Sequence, residues 1–196
     1  MKLYLIIIFG CSLLLSAVIS LCAGMDFLLV LAFTALAVVF EIAVDGLLAT
    51  IARLLPKKCA KHESKIYTVS AKEKKFYEKL KIRKWKEKIP EIGHFTGFRK
   101  NKIAEPKSVE YIDRFLLECC YGELGHFLAL FGGFSAMLLY PITEIWIAIC
   151  IPVCIINFCL NVPSIFVLRY NSYKLLVLRK SNLKKQNREK TEEITA

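Results

Sequence analysis

Residues 116–130 read Leu-Leu-Glu-Cys-Cys-Tyr-Gly-Glu-Leu-Gly-His-Phe-Leu-Ala-Leu, and the number of membrane crossings turns on whether this segment is one of them. Its apolar residues suit the first half of a spanning helix, yet Glu118, Glu123 and His126 are embedded in it. A charged group near mid-bilayer costs at least ~2.5–3.5 kcal/mol, so such groups face a protein interior and by default mark function. The stretch is therefore read as a span whose polar side chains turn inward.

The remainder of the chain fits a membrane protein. It has 196 residues, is 56% hydrophobic and carries a formal net charge of +11. Those properties rarely coexist in a soluble domain; they coexist where apolar spans alternate with basic loops. The apolar residues fall in two blocks, 3–55 and 115–168, and almost all the charge lies outside them. Each block is about twice the ~20 residues that a helix needs to cross hydrocarbon. The first divides near Ala23–Asp26 and the second near Tyr140–Glu144. The expected fold class is all-α integral membrane, with four transmembrane helices at about 3–22, 27–54, 115–139 and 145–168 and a basic amphipathic cytoplasmic loop. The second and fourth spans are long enough to tilt or project. In chain order the segments are a first helix pair (1–56), a basic loop (57–114), a second helix pair (115–168) and a basic tail (169–196).

Lysine and arginine set the orientation. Residues 57–107 hold 17 of them against 6 acidic residues, and residues 169–196 hold 8 against 3. The turns at 23–26 and 140–144 hold none, only Asp26 and Glu144. Both termini and the central loop are thus expected in the cytoplasm. Lys2 and the apolar run after it resemble a signal peptide, but the run is long for one, and Leu21 sits where a lipoprotein site before Cys22 wants a small residue. An uncleaved first helix is expected.

Of eight cysteines, seven (Cys11, Cys22, Cys119, Cys120, Cys150, Cys154 and Cys159) lie in or at apolar spans, where a thiol behaves as a small hydrophobe. Cys59 lies in the loop, and no C-x-x-C pair occurs, so neither a disulfide framework nor a zinc site is indicated. The loop segment Ala71–Lys88, AKEKKFYEKLKIRKWKEK, sets Phe76, Leu80, Ile82 and Trp85 among many cations. It reads as an amphipathic helix on the inner leaflet, Trp85 at headgroup depth and lysines toward anionic headgroups; a solvated charged helix is the plainer alternative. A loop clamped between spans does not suit nucleic acid. The tail from Lys180 is polar, lacks aromatics and is expected to be disordered.

Polar groups inside the spans are the candidate site: Glu41 and Asp45 in the second, Glu118, Glu123 and His126 in the third, Asn157 and Asn161 in the fourth. At ~1.5 Å per residue, His126 lies roughly 16 Å, Asp45 roughly 14 Å and Asn161 roughly 10 Å from the cytoplasmic helix ends. They can share one pocket open to the cytoplasm. At ~100° per residue, His126 falls between the carboxylates, about 60° from Glu123 and about 80° from Glu118. Glu41 and Asp45 share a face, and Gly122 and Gly125 admit close approach by a helix or a substrate. A carboxylate on one imidazole nitrogen fixes the tautomer and makes the other nitrogen a better general base. The alternatives are a structural polar cluster, or a metal site, since E-x-x-H recurs in di-iron bundles and Glu91–His94 supplies a second copy. Pro90, Gly93 and Gly97 argue against helix at that copy, and no metal is assigned.

The pattern Lys81-Ile82-Arg83-Lys84-Trp85-Lys86-Glu87-Lys88-Ile89-Pro90-Glu91, then Phe98, Phe115-Leu116-Leu117-Glu118 with Glu123-Leu124-Gly125-His126, Asn161-Val162-Pro163 and Arg169-Tyr170-Asn171 resembles the glycosyl-4,4'-diaponeurosporenoate acyltransferases. The resemblance runs from about Lys79 to Lys174. Departures are Leu168 for a Gln before Arg-Tyr-Asn, Ser172 and Lys174 where basic residues follow it, and Phe127 for a Trp after the histidine. The resemblance implies a bacterial cell-membrane enzyme of carotenoid biosynthesis, moving a fatty acyl group onto the sugar of a glycosylated carotenoid. It implies no bound cofactor, with acyl-CoA or an acyl-carrier thioester as co-substrate and a membrane glycolipid as acceptor. His126 is then the expected base, oriented by Glu123 or Glu118. Asn161, Arg169 and Asn171 are expected to contact substrate or oxyanion, with Lys84, Trp85 and Lys86 holding carrier phosphates or anionic headgroups. Glu41, Asp45 and the long basic tail have no counterpart in the family pattern; the acidic pair joins the candidate pocket from its place in the second span alone. Two other classes stay open: a non-catalytic membrane scaffold or partner subunit, and a small ion-binding or transport protein.

Overall fold

A proline-free apolar run carries Lys2–Ala23 as helix α1, and the chain reverses at Gly24, whose φ of 65° favours a residue without a side chain. Asp26 then caps the next helix, accepting the Leu29 N–H at 3.0 Å. That helix, α2, spans Phe27–Leu54 and stops just before Pro56. The computed structural model describes residues 2–89, 103–139 and 145–195. Beyond α2 come a 3-10 turn at Lys57–Ala60, α3 at Ala71–Lys79, α4 at Ile82–Trp85, a 3-10 turn at Lys86–Lys88, α5 at Val109–Gly132 continuing as 3-10 helix over Gly133–Leu139, and α6 at Trp146–Thr195. The turn at 140–144, with Glu144, and the Glu91–His94 pair lie outside the described residues.

Among the described residues the protein is all-helical, and three helices (α1, α2 and α6) are long and apolar enough to cross a membrane. The sequence expectation was four. The difference is α5, which carries Glu110, Asp113, Arg114, Glu118 and Glu123 within its 24 residues and so is not apolar enough by composition alone. The tail also differs from expectation. Instead of disorder, α6 runs 50 residues to Thr195. Nothing after Pro163 breaks it: no Pro or Gly follows, and Lys, Arg, Leu, Glu and Gln are good helix formers. Arg179 pairs with Asp113, and the Asn182 amide donates to the Pro106 carbonyl at 2.8 Å, which ties the helix down past the apolar segment.

The chain divides into two compact units. The first comprises residues 1–54, 88–90 and 124–165; the second comprises 55–87, 91–123 and 166–196. In the first, Trp146 is fully buried with Ile19, Val30, Ala37 and Ile149, and its indole N–H donates to the Ala136 carbonyl at 2.9 Å. The Ser16 and Thr34 hydroxyls, 3.0 Å apart and buried, join α1 to α2. Helices α2 and α5 touch through small residues: a Cβ on Gly125 would lie 3.3 Å from the Ala49 backbone, and one on Gly133 would overlap the Glu41 carboxylate. In the second unit, Ile112, Phe115, Leu116, Cys119 and Leu175 form one core, and Ala60, Tyr67, Cys120 and Tyr121 another. Gly122 lies against Leu168.

The expected single amphipathic helix over 71–88 is instead two short pieces. Ser70 caps α3 by accepting the Glu73 N–H at 3.1 Å, and the helix ends at Leu80 because Lys81 takes a left-handed conformation, φ 53°. The apolar residues consequently do not share one lipid-facing side. Tyr77 and Ile82 are buried in the protein, whereas Phe76 and Leu80 remain exposed. Phe76 and Tyr77 pack on Phe166 of α6, ring centres 5.8 and 5.6 Å away.

Candidate functional site

Three helices of the first unit bring polar side chains together. α2 supplies Glu41 and Asp45, four residues apart and so on one face. α6 supplies Cys154, Asn157 and Asn161, and α5 supplies His126. The Cys154 thiol donates to Glu41 Oε1 at 3.0 Å. The Asn157 amide nitrogen lies 3.1 Å from Glu41 Oε2 and 3.2 Å from Asp45 Oδ1, so one amide bridges both carboxylates. The Asn161 amide nitrogen lies 3.2 Å from Asp45 Oδ2 and 3.0 Å from Asn157 Oδ1, and Asn161 Oδ1 stands 2.7 Å from His126 Nδ1. Glu41 and Asn161 are buried; Asp45, His126 and Asn157 are half-buried. All four carboxylate oxygens of the acidic pair are thus occupied, which is the condition under which such groups are tolerated in an apolar bundle.

Beside this network runs an apolar groove between α1, α2 and α6, walled by Ile8, Leu15, Val38, Ile42, Ile156 and Leu160. Glu41 and Asn157 contribute its polar floor. The polar chain and the groove therefore share two residues.

A second cluster forms in the other unit around Arg169 of α6. Its Nε and Nη2 take the two oxygens of Glu73 on α3, and its Nη1 takes Glu123 Oε1 on α5. The same guanidinium donates to the Ile66 carbonyl at 2.8 Å and approaches the Thr68 carbonyl at 3.5 Å. Tyr77 donates its hydroxyl to Glu73. Burial pushes the Glu73 carboxyl up, but Arg169, the Tyr77 hydroxyl and the Ser70 backbone N–H outweigh it and hold the group below the usual glutamate range. Glu123 is buried, and its second oxygen has no donor among the described residues.

These partners alter several roles expected from the sequence. The acid expected to orient His126 was Glu123 or Glu118, but its Nδ1 bonds the Asn161 amide instead. The cause lies at Glu123, which is bound to Arg169, a stronger partner for a carboxylate than an imidazole. Arg169, expected to meet substrate or oxyanion, has all five of its N–H groups directed at Glu73, Glu123 and two carbonyls. Glu118 is half-buried and Asn171 buried. Lys84 is exposed, Lys86 and Trp85 are half-buried, and the Trp85 indole N–H donates to the Leu80 carbonyl at 2.9 Å. Sequence reasoning passed over Glu73, Tyr77 and Cys154. Glu73 carried a signal, because Ser70-x-x-Glu73 is a capping box, and a carboxylate fixed at a helix start is poised for a second partner.

All eight cysteines are free, and among the described residues no three His, Cys, Asp or Glu side chains converge to hold a metal ion. In comparisons with known proteins, the family described as glycosyl-4,4'-diaponeurosporenoate acyltransferase matches the chain over residues 61–181, more than half its length. No curated protein and no solved structure gives a significant match.

Proposed function

The chain belongs to the glycosyl-4,4'-diaponeurosporenoate acyltransferase family, and on that premise we propose that it moves a fatty acyl group from a thioester carrier to a hydroxyl of a glycosylated, carotenoid-like lipid in a bacterial cell membrane. His126 is the general base. The acceptor hydroxyl gives its proton to Nε2 as its oxygen attacks the thioester carbonyl carbon. The C–S bond then breaks, and the leaving thiolate of acyl-CoA or an acyl-carrier protein takes the proton back from the imidazolium. No covalent acyl-enzyme and no bound cofactor enter this scheme.

The observation that carries the proposal is the bond from His126 Nδ1 to Asn161 Oδ1 at 2.7 Å. It occupies one ring nitrogen and leaves the other for a substrate, within a polar chain that continues to the apolar groove between α1, α2 and α6. α5 with its 3-10 extension is the fourth span, because Glu123 and His126 each bond a side chain of α6. The termini and the loop at 57–107 face the cytoplasm, following their excess of Lys and Arg. Arg83, Lys84, Lys86 and Lys88, flanking Trp85, attract the carrier's phosphates and anionic headgroups.

The test is His126→Ala assayed in membranes for transfer of a labelled acyl chain to glycolipid. Normal accumulation with no transfer supports the base. A purely structural polar cluster, favoured by the occupied oxygens of Glu41 and Asp45, gives the opposite: low abundance, with specific activity retained in what survives.

A further inference from the structure

The Asn161 amide nitrogen faces three acceptors: Asp45 Oδ2 at 3.2 Å, Asn157 Oδ1 at 3.0 Å and the Asn157 carbonyl at 3.1 Å. An amide turned the other way would set its oxygen against all three and its N–H groups against the imidazole. The orientation is therefore fixed by its surroundings, with Oδ1 toward His126. An amide oxygen only accepts, so the nitrogen 2.7 Å from it must donate. In the neutral ring that makes Nδ1 the protonated nitrogen and leaves the lone pair on Nε2.

We infer that Asp45, acting through Asn161, is the positioning pair that sets the tautomer of His126. Asp45 does not touch the ring. It holds the amide, the amide holds Nδ1–H, and the bare Nε2 is directed to substrate. Asp45 also supplies the negative charge that the imidazolium needs once the hydroxyl proton has arrived, while Asn161 relays orientation and carries no proton itself. Asn161 is thereby committed to the base and not to the oxyanion. This inference rests on the reading of His126 as base, and the two can fail separately.

Two readouts test it. The first is nitrogen NMR of protein labelled with 15N-histidine in lipid nanodiscs; the chain has three histidines, and His62→Gln and His94→Gln variants assign the third. Near neutral pH the wild type should report the Nδ1–H tautomer for His126, and Asn161→Leu should lose it. A wild-type signal from the Nε2–H tautomer overturns the inference. The second readout is kinetic. Asn161→Leu should lower kcat by about a hundredfold, the lower end of what acid–base catalysis contributes, with substrate KM little changed. Asp45→Asn should lower it by about tenfold, the scale of an outer partner's effect on its ligand. The exchange Asp45→Asn with Asn161→Asp restores an acceptor at 161 backed by a donor at 45, and should recover activity lost in Asn161→Asp alone. If the exchanged protein accumulates yet stays as inactive as Asn161→Leu, the pair does not act as argued. Full kcat in Asn161→Leu beside an inactive His126→Ala refutes the positioning role but keeps the base; full kcat in His126→Ala removes the base itself.

Discussion

Arg169→Leu removes a guanidinium that joins three segments of the second unit: Glu73 on α3, Glu123 on α5, and the carbonyls of Ile66 and Thr68. The side chains of Arg169, Glu73 and Glu123 are 15%, 24% and 8% exposed, so most of this charge is out of water. Deleting one partner of a buried ion pair costs about 3–5 kcal/mol, because the other charge is left uncompensated. Two carboxylates are stranded here, but Glu73 is near enough to the surface to recover hydration, which puts the expected loss at the lower end, about 3 kcal/mol. The loss should be local, releasing α3 from α5 and α6 without disturbing the apolar helices of the first unit. At about 1.4 kcal/mol per decade, the population with α3 detached rises by about a hundredfold. Limited trypsin digestion reads this directly, since α3 holds Lys72, Lys74, Lys75 and Lys79, and cleavage follows the open population when closing is fast. Arg169→Lys should fall between wild type and Leu, because an ammonium keeps the charge but cannot fork to two carboxylates and two carbonyls. Cleavage of α3 in Arg169→Leu at the wild-type rate would mean that the guanidinium does not hold α3 in place.

The same cluster should respond to acid. The Glu73 carboxyl is held below its unfolded value, so its contribution is present above the ordinary glutamate range and is lost as pH falls through the lower folded value; trypsin-like sensitivity of α3, read with an acid-active protease, should rise below about pH 4.3 in wild type and not in Glu73→Gln. Gly133→Ala should reduce accumulation of folded protein, measured by size-exclusion chromatography in detergent, since its Cβ would push the Glu41 carboxylate away from Cys154 and Asn157 and leave those bonds unmade. Replacing Arg83, Lys84, Lys86 and Lys88 with Gln should raise KM for the thioester carrier while leaving insertion unchanged; kinetics independent of these charges at every ionic strength would leave a merely solvated segment. A reporter active only in the cytoplasm should work when fused after Lys107 or Lys190 and fail when fused after Thr143, and activity at the last position would reverse the orientation.

The elements that were legible in the sequence are those in which one physical term dominates. Apolar runs of 22 and 28 residues without proline can only be long helices, and α1 and α2 are these. Grouping Glu41, Asp45, His126 and Asn161 followed from the same term, because hydrocarbon leaves polar side chains nowhere to point but toward one another. Partner choice within the group was not legible. Helical geometry placed His126 between Glu118 and Glu123 on α5, but it could not show that Arg169, 46 residues beyond Glu123, claims that carboxylate. The break at Lys81 was hidden too, since a lysine gives no sign of a left-handed backbone, and the alternation of cations with Phe76, Leu80 and Ile82 continues across it. The helical tail is not legible because polar composition alone does not separate a solvated helix from disorder; Arg179 and Asn182 anchor its start, and good helix formers without Pro or Gly carry it on.

The distribution of partners also separates two explanations for any inactive variant. Glu123 was expected at the base, and its replacement would then lower kcat. Bound to Arg169, it belongs instead to the group that fixes α3, so Glu123→Gln should act on trypsin sensitivity of Lys72–Lys79 before it acts on the chemistry. An amide still accepts from Arg169 but leaves the guanidinium a net charge short, a loss of the kind that double-mutant cycles with Arg169→Leu resolve as coupling. His126→Ala should show the reverse, because Ala cannot hold Asn161 yet touches none of the groups around Arg169. A Glu123→Gln protein with wild-type protease resistance and an abolished kcat would place the carboxylate back at the reacting atoms, and Asn161 would lose its claim to be what orients the ring.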